Sequence, residues 1–284
     1  MTDISCRSDR LPTKFELERH QTVSAVGGCR RNSSLVLVRD NWRGGTLIAT
    51  PPRQRGTTVT APLTVSVEDV CFCHWPVAAD ALARSVPDWL TVETIDGDAW
   101  LTAIPHTVAG ISAFDVDLAR PADAVTVRTY VRGPDDQRGL YFFAVVPDAP
   151  LTAAAAPVLR LPVYEGRLGR SAVAGGQTRR TLDMDGQRVL DVSYTPDDGP
   201  APAPPDSLTA FLVERHRFFT SGPLGGRLVG NVGHDPWPVA PAAATVTSAL
   251  PAALNLPTPL GDPIVHYSPG VKLGVQPPGP LWLD

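Results

Sequence analysis

After residue 62, apolar residues come in short runs separated by turn residues, a pattern typical of β-strands. Three turn segments between such runs predict β-hairpins, because glycine adopts the positive φ that tight turns need. These segments are residues 96–98, 133–139 and 185–186. In all we expect about ten strands, near residues 65–72, 89–95, 99–104, 125–131, 140–146, 178–183, 189–194, 227–232, 243–250, 264–267 and 271–275.

Helices are expected at two places. Residues 77–86 predict a short helix that stops before Pro87, since a proline disfavours helical backbone in the preceding residue. A second helix is expected to begin at Asp206 or Ser207 as its N-cap and to run to about Phe218. The elements favour an α+β fold that is mainly antiparallel β, a closed or nearly closed β-barrel with two or three short helices.

Composition supports a folded domain rich in turns. The 284 residues include 30 prolines and 24 glycines, which excludes a coiled coil, and 43% apolar residues, which excludes wholesale disorder. The longest uncharged run, residues 236–261, contains too many prolines for a membrane helix, so no membrane partner is expected. The charged start of the chain lacks the apolar core of a secretory signal, so we expect a cytoplasmic protein.

The balance between basic and acidic residues changes near residue 62. The net charge of the whole chain is −4, yet residues 1–62 hold twice as many basic as acidic residues. We therefore predict a basic, loosely ordered N-terminal arm over residues 1–62 and a barrel domain over residues 63–284. Binding of nucleic acid through the arm is an alternative that we do not favour, because exposed basic tails are often simply solvated.

A Cys71-Phe72-Cys73-His74 sequence suggests half of a zinc site, but structural zinc needs four ligands, usually from a second paired cluster. On a strand Cys71 and Cys73 share one face, where we expect them to pack as small apolar groups. We therefore predict no metal and no cofactor.

Polar residues alternate with valines over residues 125–132, so Arg128 and Tyr130 share one face of a strand. That face is either exposed to solvent or lines a pocket, and the pattern leaves both interpretations open. An inward guanidinium would bind a carboxylate or phosphate through two hydrogen bonds.

Two Trp-Pro-Val-Ala sequences, each preceded by a histidine, provide further candidates. His74 and Trp75 precede the first proline, and His234 and Trp237 precede the second. Such His, Trp and Pro clusters often line concave sites. Glu214, placed on the second predicted helix, could act as a general base if burial raised its pKa, although such a residue more often forms a surface ion pair.

An ordered series of motifs resembles the YqjF-like family of uncharacterised proteins, also called domain of unknown function 2071. The motifs include Cys73-His74-Trp75-Pro76-Val77, residues 127–131, 139–143, 161–164, Phe211-Leu212-Val213-Glu214-Arg215 and His234-Asp235-Pro236-Trp237-Pro238. The resemblance covers residues 63–284. The sequence departs from the family pattern at His106, Thr126 and His216, and these changes could alter ligand choice.

This resemblance implies an acetoacetate decarboxylase-like β-barrel with a central small-molecule cavity. Decarboxylation through a Schiff base needs an amine nucleophile, but the chain has only two lysines, Lys14 and Lys272, and both lie outside the matched motifs. We therefore expect a barrel that binds a small anionic organic molecule without Schiff-base chemistry.

The alternative is a non-catalytic structural or partner-binding domain, which a filled interior would favour. Whether the chain forms a homo-oligomer is left open. The candidate ligand-binding residues are His74, Trp75, Arg128, Tyr130, Tyr141, Glu214, His234 and Trp237.

Overall fold

The computed structural model describes residues 63–281, apart from residues 115, 120, 135 and 198. The arm predicted over residues 1–62 lies outside the described residues. None of the helices in the described region is long and apolar enough to cross a lipid bilayer.

The described residues form fourteen strands, four short α-helices and one 3-10 helix, Pro223–Gly225. The strands are β1 Leu63–Val77, β2 Thr91–Val92, β3 Ala99–Ala113, β4 Val116–Ala119, β5 Ala122–Arg132, β6 Arg138–Pro147, β7 Arg167–Val173, β8 Gln177–Met184, β9 Gln187–Pro196, β10 Ala201–Pro202, β11 Arg217–Ser221, β12 Arg227–Gly233, β13 Pro238–Ser248 and β14 Ile264–Pro280. The α-helices are α1 Ala79–Ala83, α2 Pro150–Val158, α3 Leu208–Val213 and α4 Leu250–Ala253.

Seven strands close into a barrel in the order β1, β3, β5, β6, β11, β12 and β14, and β14 pairs back with β1. Neighbouring strands are antiparallel except β6 and β11, which are parallel. Ring closure leaves none of these seven strands as a free edge. The predicted mainly antiparallel barrel is confirmed.

A second sheet of β13, β9, β8 and β7 continues from β14. Its apolar side chains, including Leu182, Leu190 and Val192, pack against Cys71 and Cys73 on the outer face of β1. The barrel wall is therefore buried on both faces where the second sheet covers it. Its outer face packs against the second sheet, and its inner face packs in the barrel interior.

A bulge at Asp69 reverses the alternation of side chains along β1. Val65 and Val67 face the interior before the bulge, and Phe72 faces it afterwards. Asp69 has a positive φ of 49°. On the neighbouring strand Gly270 has a φ of 130°, and a Cβ there would lie 2.0 Å from the Val67 carbonyl oxygen, so the bulge requires glycine at this position.

Arg180 of β8 joins the second sheet to this bulge. Its buried guanidinium pairs with Asp69 (Nη2–Oδ2 2.7 Å) and with Asp123 of β5 (Nη1–Oδ1 2.9 Å). Tyr194 of β9 donates to the other oxygen of Asp69 at 2.8 Å, and Thr107 of β3 donates to Asp123 at 2.7 Å. The network therefore links three barrel strands to two strands of the second sheet.

Two local predictions are wrong. The turn at residues 96–98 forms as expected, but its flanking strands do not pair with each other beyond the bridge between Ile95 and Asp98, because β2 pairs with β5. The second predicted helix is also too long. Ser207 caps α3 by accepting from the Ala210 N–H, but the helix ends at Val213 rather than near Phe218.

The other two predicted hairpins are confirmed by the β5–β6 and β8–β9 pairings. The two strands expected near residues 264–267 and 271–275 form one continuous strand, β14. The sequence analysis predicted fewer strands and helices than the structure contains. It missed β4, β7, β10 and α2, and it assigned the start of β11 to a helix and the start of α4 to a strand.

We predict that Arg180→Ala lowers the free energy of unfolding by about 3 kcal/mol, since Asp123 loses its ion pair and Asp69 keeps one only with the half-exposed Arg170, at 3.1 Å. Equilibrium urea denaturation measures this change. Arg179→Ala, on the same strand, removes an exposed pair with Asp191 and should cost less than about 1 kcal/mol. Equal losses for the two variants would contradict the role given to Arg180.

Candidate functional site

The barrel interior contains a cavity of about 190 Å³. Most of its wall is apolar and comes from side chains such as Val67, Phe72, Ile104, Phe142 and Val275. The polar lining residues are His106, Thr126, Arg128, Arg215, His234 and Trp237. Among the described residues, no aspartate or glutamate lines the cavity.

This volume is suited to a small organic molecule. An engineered apolar cavity of about 150 Å³ binds benzene. The barrel cavity is somewhat larger and carries cationic groups on its wall, so it can accommodate a ring-sized apolar body with an anionic substituent.

Arg128 is the principal charged group of the cavity. It is 7% exposed, and its guanidinium donates to the Leu212 carbonyl oxygen (Nη2–O 3.3 Å) and lies 5.9 Å from the centre of the Phe72 ring. Its Nε–H has no acceptor, and no carboxylate forms an ion pair with it in the described region. Burial lowers the pKa of Arg128, but arginine remains a cation at neutral pH.

Arg215 adds a second buried guanidinium. Its Nη2 pairs with Glu93 at 3.1 Å, and Arg132 and Arg138 pair with the same carboxylate. Burial lowers the pKa of Arg215 to about 10, although the nearby charge of Glu93 acts in the opposite direction. Arg132 also pairs with Asp136 at 2.9 Å, so this cluster holds three arginines against two carboxylates, and positive charge exceeds negative charge in it.

His106 contributes a neutral hydrogen-bond acceptor to the cavity wall rather than a charged group. Burial lowers its pKa to about 4, so the imidazole is neutral at pH 7. Its Nδ1 lies 2.9 Å from the Ile104 carbonyl oxygen and must donate to it, since a carbonyl can only accept. Nε2 then carries the lone pair.

A chain of hydrogen bonds lies behind Arg128. Tyr130 donates to the Leu212 carbonyl (2.7 Å), so its oxygen accepts from Thr102 (2.7 Å), and Thr102 in turn accepts from His74 Nδ1 (2.9 Å). This order fixes the neutral His74 tautomer that carries its proton on Nδ1. Burial lowers the pKa of His74 well below its ordinary value and raises that of Tyr130.

His74 Nε2 therefore carries a lone pair, and it has no partner among the described residues. Its ring lies 5.4 Å from that of His266, centre to centre, and the buried Nδ1 of His266 also has no partner there. The other nitrogen of His266 lies 3.2 Å from the Thr209 hydroxyl.

Glu214 and His234 meet beside the cavity. Glu214 Oε1 accepts from the Trp237 backbone N–H at 2.8 Å, and Oε2 lies 3.8 Å from His234 Nδ1. His234 and Trp237 line the cavity, whereas Glu214 is half-buried next to them. His216 stacks on His234 with ring centres 4.4 Å apart.

Of the eight predicted site residues, three line the cavity, three lie behind or beside its wall, and two lie away from it. Arg128, His234 and Trp237 line the cavity. His74, Tyr130 and Glu214 lie directly behind or beside its wall.

The two predicted residues that lie away from the cavity are Trp75 and Tyr141. Trp75 packs in the core between barrel and second sheet, because the Asp69 bulge turns it outward. Tyr141 packs outside the barrel against Phe143, since it alternates with the cavity-lining Phe142.

His106, Thr126 and Arg215 also line the cavity, but they were not among the candidate site residues. The sequence analysis named His106 and Thr126 only as departures from the family pattern that could alter ligand choice. Alternation along β3 and β5 contained the signal for the first two, because His106 follows Ile104 and Thr126 precedes Arg128 by two residues. Arg215 was obscured because its segment was placed on a helix.

Cysteine and lysine side chains lie away from the cavity in the described region. Cys71 and Cys73 are fully buried in the apolar core outside the barrel, with their sulfurs 3.9 Å apart, whereas His74 faces the interior. Lys272 is exposed and alternates with the cavity-lining Leu273. Lys14 lies outside the described residues.

Comparisons with solved structures show the same architecture. A structure of the enduracididine biosynthesis enzyme MppR complexed with pyruvate matches at a TM-score of 0.59 and 15% identity, covering 84% of this chain and 99% of MppR. An acetoacetate decarboxylase-like enzyme from Sphingomonas wittichii RW1 matches at a TM-score of 0.55 and 14% identity, covering 84% of this chain and all of that one. The fold is therefore acetoacetate decarboxylase-like.

Sequence comparison identifies the family. The uncharacterized protein YqjF of Bacillus subtilis (strain 168) is 28% identical over 210 residues, which cover 70% of this chain and 84% of YqjF. A family model described as an uncharacterized conserved protein, DUF2071, matches residues 64–272, which include β1 and most of β14. The chain belongs to the DUF2071 family.

Proposed function

We propose that the barrel cavity binds a small organic carboxylate with an apolar body. The observation that carries this proposal is Arg128, a buried guanidinium with no carboxylate partner in the described part of the chain. An unpaired buried charge is costly, and a bound anion would supply the missing partner. A carboxylate accepts two parallel hydrogen bonds from a guanidinium, so this group is the chemistry we expect.

The rest of the cavity supports an apolar ligand body. Phe72, Phe142 and Leu161 line the wall, and these side chains can bury a ring or a branched chain. His106 Nε2 offers one hydrogen-bond acceptor, which favours a ligand that also carries a hydroxyl or amine donor. The size and the single strong anchor favour a monocarboxylate over a larger polyanion.

Likeness to MppR supports the choice of a 2-oxo acid as a first probe, since that protein was obtained in complex with pyruvate. At 15% identity, this likeness concerns the fold, so it does not identify the ligand of this chain. The alternative of a purely structural domain would be favoured by a filled interior, and the cavity favours ligand binding instead.

The proposed function does not involve a Schiff base. Lys272 is exposed on the outer face of β14, where its amine cannot contact a molecule in the cavity. Any reaction would use Arg128 to stabilise negative charge on a bound carboxylate or enolate, with proton transfer by a histidine or by Glu214. The cytoplasmic location stays a prediction.

We predict that pyruvate and phenylacetate raise the melting temperature of the protein, whereas phenylacetamide, the neutral analogue of phenylacetate, does not. Arg128→Ala should weaken carboxylate binding by about tenfold or more, since a charge-assisted hydrogen bond contributes about 1.5–3 kcal/mol. Isothermal titration calorimetry measures the dissociation constants.

Arg84→Ala is the control for this experiment, because Arg84 is exposed at the C-cap of α1, where its side chain donates to the Asp80 carbonyl. It should bind the carboxylates like the unchanged protein. Equal affinity of Arg128→Ala and Arg84→Ala would remove the basis of the proposed anion site.

A second prediction concerns Lys272. Treating the protein with pyruvate and sodium borohydride should add no mass to it, because reduction traps only a Schiff base between an amine and the ketone. Lys272→Ala should also leave carboxylate affinity unchanged. A borohydride-dependent adduct mapped to either Lys14 or Lys272 by mass spectrometry would refute the proposed absence of Schiff-base chemistry.

A further inference from the structure

Glu214, His216 and His234 form a cluster that is separate from Arg128, the proposed carboxylate anchor. One potential ligand atom from each residue lies within 4.8 Å of the others. The cluster extends from His234, which lines the cavity, to His216, which is exposed. Two imidazoles and one carboxylate are a common ligand set for divalent transition metals.

The backbone explains why these three side chains converge. Glu214 follows α3 with φ −90° and ψ 96°, and β11 begins at Arg217, so residues 214 and 216 lie in extended chain between them. Alternation places Glu214 and His216 on one face and directs Arg215 to the other, into the cavity. His234 directly follows β12, the antiparallel partner of β11.

Both histidines are oriented as metal ligands usually are. A metal-bound histidine typically donates its second ring N–H to a backbone carbonyl. His216 Nδ1 lies 3.2 Å from the Val232 carbonyl oxygen, and His234 Nε2 lies 3.1 Å from that of Arg215. If these nitrogens carry the protons, then His216 Nε2 and His234 Nδ1 each carry a lone pair.

A close contact at His234 indicates a cation. His234 Nδ1 lies 2.8 Å from the Asp235 carbonyl oxygen, although its lone pair would repel that oxygen. His234 Nε2 also faces a carbonyl, that of Arg215, and a neutral imidazole can donate to only one of the two oxygens. Both contacts are satisfied by an imidazolium, or by a metal ion on Nδ1 that the Asp235 oxygen also binds. Two ligand atoms about 2.1 Å from one ion lie about 3.4 Å apart at the tetrahedral angle, so the Asp235 carbonyl would move back by about 0.6 Å when both atoms bind Zn²⁺.

A hydrogen bond also orients the Glu214 carboxylate for binding a metal ion. The Trp237 N–H holds Oε1 at 2.8 Å, and Oε2 lies on the side of His234, 3.8 Å from Nδ1. Hydrogen bonds of this kind orient the carboxylates that bind metals.

We propose that Glu214, His216 and His234 bind a divalent transition-metal ion of the Zn²⁺ type, with the Asp235 carbonyl oxygen as a fourth ligand. The four groups form a mixed nitrogen and oxygen set, which suits Zn²⁺, Co²⁺ or Ni²⁺ better than Mg²⁺. The ion would lie next to the cavity at His234, where it adds positive charge beside Arg128 and Arg215. Metal binding does not depend on the carboxylate site and is tested without any carboxylate.

The test uses the full chain without an affinity tag, stripped with a chelator and titrated with Zn²⁺ in a calorimeter. His216→Tyr is the first variant, because His216 is exposed and the substitution leaves the core intact. We expect His216→Tyr, Glu214→Gln and His234→Gln each to weaken Zn²⁺ binding by about tenfold or more. Co²⁺ should give visible absorption bands in the unchanged protein that are altered in His216→Tyr.

Asp235→Asn is the matched control, since it removes an exposed negative charge next to the site and retains the backbone carbonyl. It should bind Zn²⁺ as the unchanged protein does. The melting temperature without metal shows whether each variant is folded. The proposal is overturned if folded His216→Tyr and His234→Gln keep full Zn²⁺ affinity, or if the unchanged protein binds no Zn²⁺, which would assign the close contact at His234 to an imidazolium.

Discussion

The ion pairs of Arg180 with Asp69 and Asp123 are the interaction on which the site depends. They hold the bulge of β1 against the second sheet, and the bulge determines which side chains of β1 face the barrel interior. With regular alternation from Val67 onward, Cys71 and Cys73 would face inward in place of Phe72 and His74. One buried arginine outside the barrel thus selects the side chains inside it.

The interior combines an apolar wall with buried polar groups, and three of these groups, Arg128, Tyr130 and Arg215, are each held by a specific partner. Arg128 and Tyr130 both donate to the Leu212 carbonyl, and Arg215 pairs with Glu93. These contacts reduce the cost of burying the guanidinium groups but leave positive charge in excess. The anion proposed above would complement such a cavity, with its charged end at Arg128.

Sequence patterns predicted the architecture well because it depends on local signals. The alternation around Arg128 and the turns at Gly133–Gly139 and Asp185–Gly186 identified the strands, and the motif series identified the family. Alternation also placed Arg128 and Tyr130 on one face. The pattern alone favoured solvent over a pocket for this face, whereas the closed barrel makes it internal.

Two features of the site depended on interactions that are distant in sequence. Trp75 was misplaced because the bulge at Asp69 is held by Arg180, which lies more than a hundred residues away. The Glu214, His216 and His234 cluster was not recognised because the residues after Val213 were assigned to a helix, on which Glu214 and His216 would point in different directions. The helix ends earlier since its last residues, Phe211 to Val213, are buried and the chain must join β11.

The Leu212 carbonyl has a wider effect than its hydrogen bonds alone suggest. It closes the chain that runs from His74 through Thr102 and Tyr130, and a carbonyl cannot donate, so every hydrogen in that chain points toward α3. A shift of the last turn of α3 would release Arg128 and Tyr130 together and would free His74 to exchange tautomers. The last turn of α3 therefore connects two parts of the molecule. Its Leu212 carbonyl binds Arg128 and Tyr130 in the barrel wall, and its C-terminus continues into the segment that carries Glu214 and His216.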